Sequence, residues 1–240
     1  MPKRITIMQM SDPETGSWPK VYRMLAWLSP SFPIGSFSFS HGLEAAAETG
    51  AVCDRMTLQN WIRTVLTWGS GRIDADTLCA AYRAAAADDI AAFVEANCRG
   101  VAFRATFETR LETTAQGEAF LATCRAAWAD PFLDRWAAGG EAVCYPAAVG
   151  AAMARAGIPL DWALIGYLQA MAANLVSAGL RLGVIGQSDG QRILAALEPV
   201  IAEAVATGLT RGPDCFGTAT FAAEIASMVH ETQYSRLFRS

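Results

Sequence analysis

Apolar positions recur along this chain with the period of a helix. Leu58, Trp61, Ile62, Val65 and Leu66 fall at i, i+3, i+4, i+7 and i+8, a single stripe that predicts a helix starting near Thr57. A second stripe, Ile90, Phe93 and Val94, follows Asp88 and Asp89, whose carboxylates suit the unpaired amides and positive end of a helix N-terminus. Asp130-Pro131 reads as an N-cap followed by proline at the first helical position, and Ser188-x-x-Gln191 as a capping box ahead of Ile193, Leu194 and Leu197. Breakers at Gly139-Gly140, Gly157-Ile158-Pro159, Gly183 to Gly190 and Gly208 to Gly217 divide the remainder. The pattern predicts helices near 19–28, 38–49, 57–69, 74–87, 88–98, 104–128, 130–138, 145–156, 160–182, 189–207 and 217–236.

Composition points the same way. Alanine occurs 46 times and Ile with Val only 24 times, which favours helix, where alanine loses no side-chain entropy, over sheet, where branched residues pack best. No stretch is long or polar enough to separate two domains. The expectation is an all-α, single-domain bundle of about ten helices over residues 19–240, preceded by a flexible lead, residues 1–18.

Charge and cysteine usage exclude several functions. Nineteen Lys and Arg against 23 Asp and Glu give a net charge of −4, so no basic field exists to hold nucleic acid or an anionic membrane. Hydrophobic residues make up 52% and charged residues 18%, which implies a large core or apolar surface that meets partners. The six cysteines have no C-x-x-C spacing and read as buried free thiols of a reducing compartment. Residues 1–16 lack the apolar stretch of an export signal, so the expected location is cytoplasmic. Trp162 to Leu180 is uncharged, yet Gln169, Asn174, Ser177 and many small residues dilute it, and a buried helix of a soluble protein is the expectation, with no membrane span.

Enzyme signatures are sparse. There are two histidines, His41 and His230, and no G-x-S-x-G. His230-Glu231-Thr232-Gln233-Tyr234 begins like H-E-x-x-H but places Tyr234 where the second zinc ligand belongs. No phosphate-cradling glycine loop is present. Glu108 and Glu112, four apart with Arg104 one turn earlier, could hold a metal or exchange protons, but the expected reading is a solvated helix face. A helical metal-dependent hydrolase built on Glu108, Glu112 and His230 is the alternative. No catalytic, cofactor or metal residue is assigned, and with only two histidines, in distant segments, no high-affinity metal site is expected within one chain.

Two segments stand out. From Ser29 to Glu44, two prolines stiffen a turn, Gly35 suits a positive φ, and serines alternate with phenylalanines before a helix. This is either a cap joining two helices or a partner surface. From Ser227 to Ser240 the chain carries Tyr234, Leu237 and Phe238, large groups that suggest docking, on this protein's own core or on another's.

At these segments the chain resembles the UreF family of urease accessory proteins. The similarity spans about Leu25 to the C-terminus. It covers S-P-x-x-P-x-G-x-F-S-x-S-H-G-L-E (Ser29 to Glu44), Glu108-Thr109-Arg110 and Asn174-Leu175-Val176-Ser177-Ala178 to Gly186-Gln187-x-x-Gly190-Gln191. It closes with Ser227-Met228-x-His230-Glu231-x-Gln233-Tyr234-x-Arg236-Leu237-Phe238. The resemblance implies an all-helical, non-enzymatic co-chaperone that forms a homodimer and bridges UreD (also called UreH) and the GTPase UreG. That complex loads nickel into apo-urease. It further implies UreD/UreH contacts for the segment 227–240, with Ser227, His230, Glu231, Tyr234, Arg236, Leu237, Phe238 and Arg239 as candidates. Pro33, Gly35, Ser38, His41 and Glu44 are candidates for a UreG-facing surface. Modulation of GTP hydrolysis by UreG is also implied, with no arginine finger identifiable among 17 arginines.

Overall fold

A computed structural model describes residues 17–239, so most of the lead predicted at 1–18 lies outside the described residues. Eleven α-helices and no strand occur among them. They are α1 (Trp18–Trp27), α2 (Leu43–Glu48), α3 (Arg55–Trp68), α4 (Ser70–Ala86), α5 (Ile90–Ala102), α6 (Phe107–Ala127), α7 (Pro131–Ala137), α8 (Tyr145–Arg155), α9 (Leu160–Arg181), α10 (Gln187–Thr210) and α11 (Phe221–His230). Short 3₁₀ turns occupy Ser36–Ser38 and Pro213–Cys215.

The expected stripes form the core. Leu58, Ile62, Val65 and Leu66 of α3 are buried, and Phe93 of α5 meets Trp136 of α7 edge to face with ring centroids 4.6 Å apart. Alanine serves the bundle by letting helices come close. On α8, Ala147, Ala148, Ala151 and Ala152 are buried against α4, and a methyl added at Gly150 would lie 2.6 Å from the Leu78 carbonyl oxygen.

Side-chain caps open four of the helices, α3, α5, α6 and α7. Asp89 accepts from the Ala92 amide and Asp130 from the Phe132 amide, as their positions predict. Three expectations are corrected. The helix expected from 38 starts at Leu43, because His41 and Gly42 take φ of 53° and 73° and break the turn. The helix expected to reach 236 stops at His230, where the chain turns back on the bundle. The box Ser188-x-x-Gln191 is not formed; extended backbone at Gly186 opens α10 at Gln187, so Ser188 lies inside its first turn.

All six cysteines are free, but the expectation that they are buried holds only for Cys79, Cys124 and Cys144; Cys53, Cys98 and Cys215 are exposed. Helices α9 and α10 are each long and apolar enough to cross a membrane by length and composition. Half of the apolar window of α9 lies inside the bundle.

Candidate functional site

The loop 29–44 and the segment after α11 meet at the N-terminal turns of α6. Phe32, Ile34 and Phe39 root the loop in the core, with the Phe32 ring 5.2 Å from that of Phe120 on α6. The 3₁₀ turn and Gly35, at φ 71°, leave Pro33 and Phe37 outside. Gly42 then lets α2 touch α11 directly: its φ is 73°, and a Cβ there would sit 2.6 Å from the Ser227 amide nitrogen.

Four ionisable side chains close this junction. His230, fully buried at the end of α11, faces Glu108 through Nδ1 at 2.9 Å and Glu44 through Nε2 at 3.0 Å. A neutral imidazole has one N–H, so both contacts close only when the trio holds a second proton, on the ring or on a carboxyl. Arg236 adds a bond to Glu108 at 3.1 Å. Glu44 also captures the returning backbone, accepting from the Leu237 amide at 2.6 Å and the Phe238 amide at 2.9 Å. Burial alone would push the Glu44 carboxyl up, but these amides and the His230 ring together hold it below the usual carboxylate range. Burial pushes the Glu108 carboxyl up, against the pull of His230 and Arg236.

The path of the returning segment follows from that clamp. Phe238 is buried, with the Arg181 guanidinium 4.3 Å from its ring centre. The Arg239 amide donates to the Ser38 carbonyl at 2.7 Å. The Ser227 hydroxyl lies 2.8 Å from that of Thr106, and the Glu231 carboxylate accepts from the Phe107 amide, capping α6 from outside. Tyr234 is fully exposed and Leu237 is 62% exposed.

One turn along α6 the pattern repeats. His41 Nε2 lies 3.1 Å from Glu112 Oε1, and its Nδ1 lies 3.3 Å from the Ser70 hydroxyl. Burial would lower the His41 pKa, but attraction and hydrogen bonding to Glu112 outweigh it and raise it. The expectation of a solvated face for Glu108 and Glu112 is therefore corrected: both are buried, each gripping one of the two histidines. Arg104 does not offset them. It is buried on Asp74 at 2.6 Å, and Asp74 also accepts from the Tyr167 hydroxyl at 2.8 Å.

Of the candidates, the structure brings Ser38, His41, Glu44, Ser227, His230, Glu231, Arg236, Phe238 and Arg239 into one junction within the chain. Pro33, Gly35 and the side chains of Tyr234 and Leu237 take no part in its polar contacts among the described residues, although the Leu237 amide does. Among the described residues no group of three or more His, Cys, Asp or Glu is arranged to hold a metal ion, and the alternative triad is divided, Glu112 facing His41 and Glu108 facing His230. Residues whose role the sequence reading missed are Glu108, Glu112, Thr106 and Arg181. The available signal was that two buried histidines need polar partners.

Residues 52–198 match the UreF family model. The chain is 49% identical over 220 residues to "Urease accessory protein UreF" of Bradyrhizobium sp. (strain ORS 278), covering 92% of each chain. It is 46% identical over 232 residues to the protein of the same name from Azorhizobium caulinodans, covering 96% of this chain and all of that one. A third, from Rhodopseudomonas palustris (strain TIE-1), is 44% identical over 238 residues, covering 96% of this chain and 99% of the relative. With its all-helical fold, its paired motif segments and these matches across nearly its whole length, the chain belongs to the UreF family of urease accessory proteins.

Proposed function

We propose that this protein is a cytoplasmic, non-catalytic scaffold that bridges UreD/UreH and the GTPase UreG, working as a homodimer in the complex that installs nickel in apo-urease. Within that reading the outward side of the segment 227–240 docks UreD/UreH and the outer loop 29–44 faces UreG. Its influence on GTP hydrolysis is exerted by binding one conformation of UreG more tightly than another.

The observation that carries the docking role is the split within one short segment. Backbone and inward groups are fixed by Glu44, while Tyr234 and Leu237, a large aromatic and an apolar residue, are presented to solvent. The exposed stripe Phe221, Ile225, Met228 and Val229 on α11 extends the apolar surface beside them. Aromatic groups held rigidly at a surface lose little entropy on binding and anchor interfaces.

The double variant Tyr234→Ala, Leu237→Ala tests this reading. Both side chains are outside the clamp, so helicity and thermal midpoint stay at wild-type values while co-purification with UreD/UreH is lost. Retained co-purification overturns the assignment. Deleting the last dozen residues is a poorer test, since it removes His230 and strands two buried carboxylates.

A further inference from the structure

A cavity of about 300 Å³ lies between the loop 29–37, α6 and α9, with Pro30 and Phe37 at its exposed mouth. That volume is at the small end for sites that enclose organic molecules, and the walls are of the usual kind, with Tyr145, Tyr167 and Met171 supplying apolar and aromatic surface. The polar lining is unequal. Asp74 is spent on Arg104 and Tyr167, and Arg104 on Asp74 and the Gly100 carbonyl. Gln116 gives its amide nitrogen to Glu112, and Asn174 gives its own to the Ser36 carbonyl, which leaves their carbonyl oxygens for other donors.

Glu112 is the decisive group. It is 5% exposed, its Oε1 takes Gln116 and His41, and its Oε2 has no partner among the described residues. A buried carboxylate oxygen without a donor is costly, and the soft terminal torsion of glutamate lets it turn into the adjoining space. We propose that this cavity binds a small protonated alkylamine, its ammonium on Glu112 and its hydrocarbon against Tyr145, Tyr167 and Met171.

Other ligand classes fit less well. An anion would meet the unpartnered carboxylate oxygen of Glu112, and the guanidinium in the lining, Arg104, is already held by Asp74. A divalent metal needs four to six donors, whereas His41 is engaged at both ring nitrogens and a single carboxylate oxygen is open. An uncharged apolar guest would leave Oε2 as unpaired as before.

The test is calorimetric titration of the full chain with butylammonium chloride at fixed ionic strength, against butan-1-ol and sodium butyrate as neutral and anionic counterparts. The expected result is saturable, equimolar binding of butylammonium, at least tenfold tighter than either counterpart. Glu112→Gln weakens it at least tenfold with the helical spectrum unchanged. Ala173→Phe, which fills the cavity from α9 and leaves Glu112 in place, abolishes it, and this variant decides the matter should Glu112→Gln fail to fold. No saturable amine binding, equal binding of the alcohol or the carboxylate, or undiminished amine binding in a folded variant overturns the proposal. The experiment needs no other protein, so its failure leaves the scaffold reading untouched.

Discussion

Glu44 accepts two backbone N–H groups, from Leu237 and Phe238, and pairs with His230 Nε2, all within 3.0 Å. Removing its carboxylate strands each of them, so Glu44→Ala is expected to cost about 3 kcal/mol or more in urea unfolding. The two shifted groups act on opposite sides of neutrality. The Glu44 pKa is lowered in the fold, so its contribution is complete above the ordinary carboxylate range and is lost as pH falls through the lowered value. The His41 pKa is raised, so its contribution is complete below about 6.5 and is lost as pH rises through the raised value. Urea unfolding across this window, for wild type and for His41→Gln, should show the stability advantage of the wild type shrinking as pH rises. Neither pairing was legible from sequence. The i, i+4 spacing of Glu108 and Glu112 says that they share a face, but α6 mixes Thr, Glu, Gln and Gly with few large apolar residues and shows no stripe to tell which face is buried.

Element positions were legible wherever a cap or a stripe is local. Asp89 and Asp130 mark the starts of α5 and α7 through bonds made within three residues, and the stripe of α3 records its buried face directly. The errors fall where distant backbone decides. His41 and Gly42 take left-handed conformations to bring α2 against α11, and nothing nearby in sequence announces a neighbour some 180 residues away. Close helix approaches give two expected outcomes. Gly150→Val drives a side chain into the Leu78 carbonyl and should lower stability by about 1–3 kcal/mol, read by thermal unfolding. Gly42→Ala strains a positive φ and meets the Ser227 backbone, so it should speed proteolytic cleavage after His230 before it lowers the global midpoint.

Across the whole molecule the high apolar content divides between a closed core and an uncovered surface. Beyond the buried helices, Trp18, Tyr22 and Leu25 on α1 and Phe221, Ile225 and Met228 on α11 face outward at helical spacing. Replacing Phe221 and Ile225 by serine should reduce self-association of the isolated chain in light scattering, with the unfolding midpoint unchanged. The residue pattern singled out both motif segments, and the structure adds that they are halves of a single junction.

That junction has a consequence for the order in which the protein matures. Glu44 and Glu108 are made 186 and 122 residues before the histidine that bonds to both. A growing polypeptide can assemble its central helices while these carboxylates wait, and only the later emergence of His230 and the residues after it seals them. The junction thus closes long after its carboxylates are made, so a product stalled or clipped before His230 lacks the finished face.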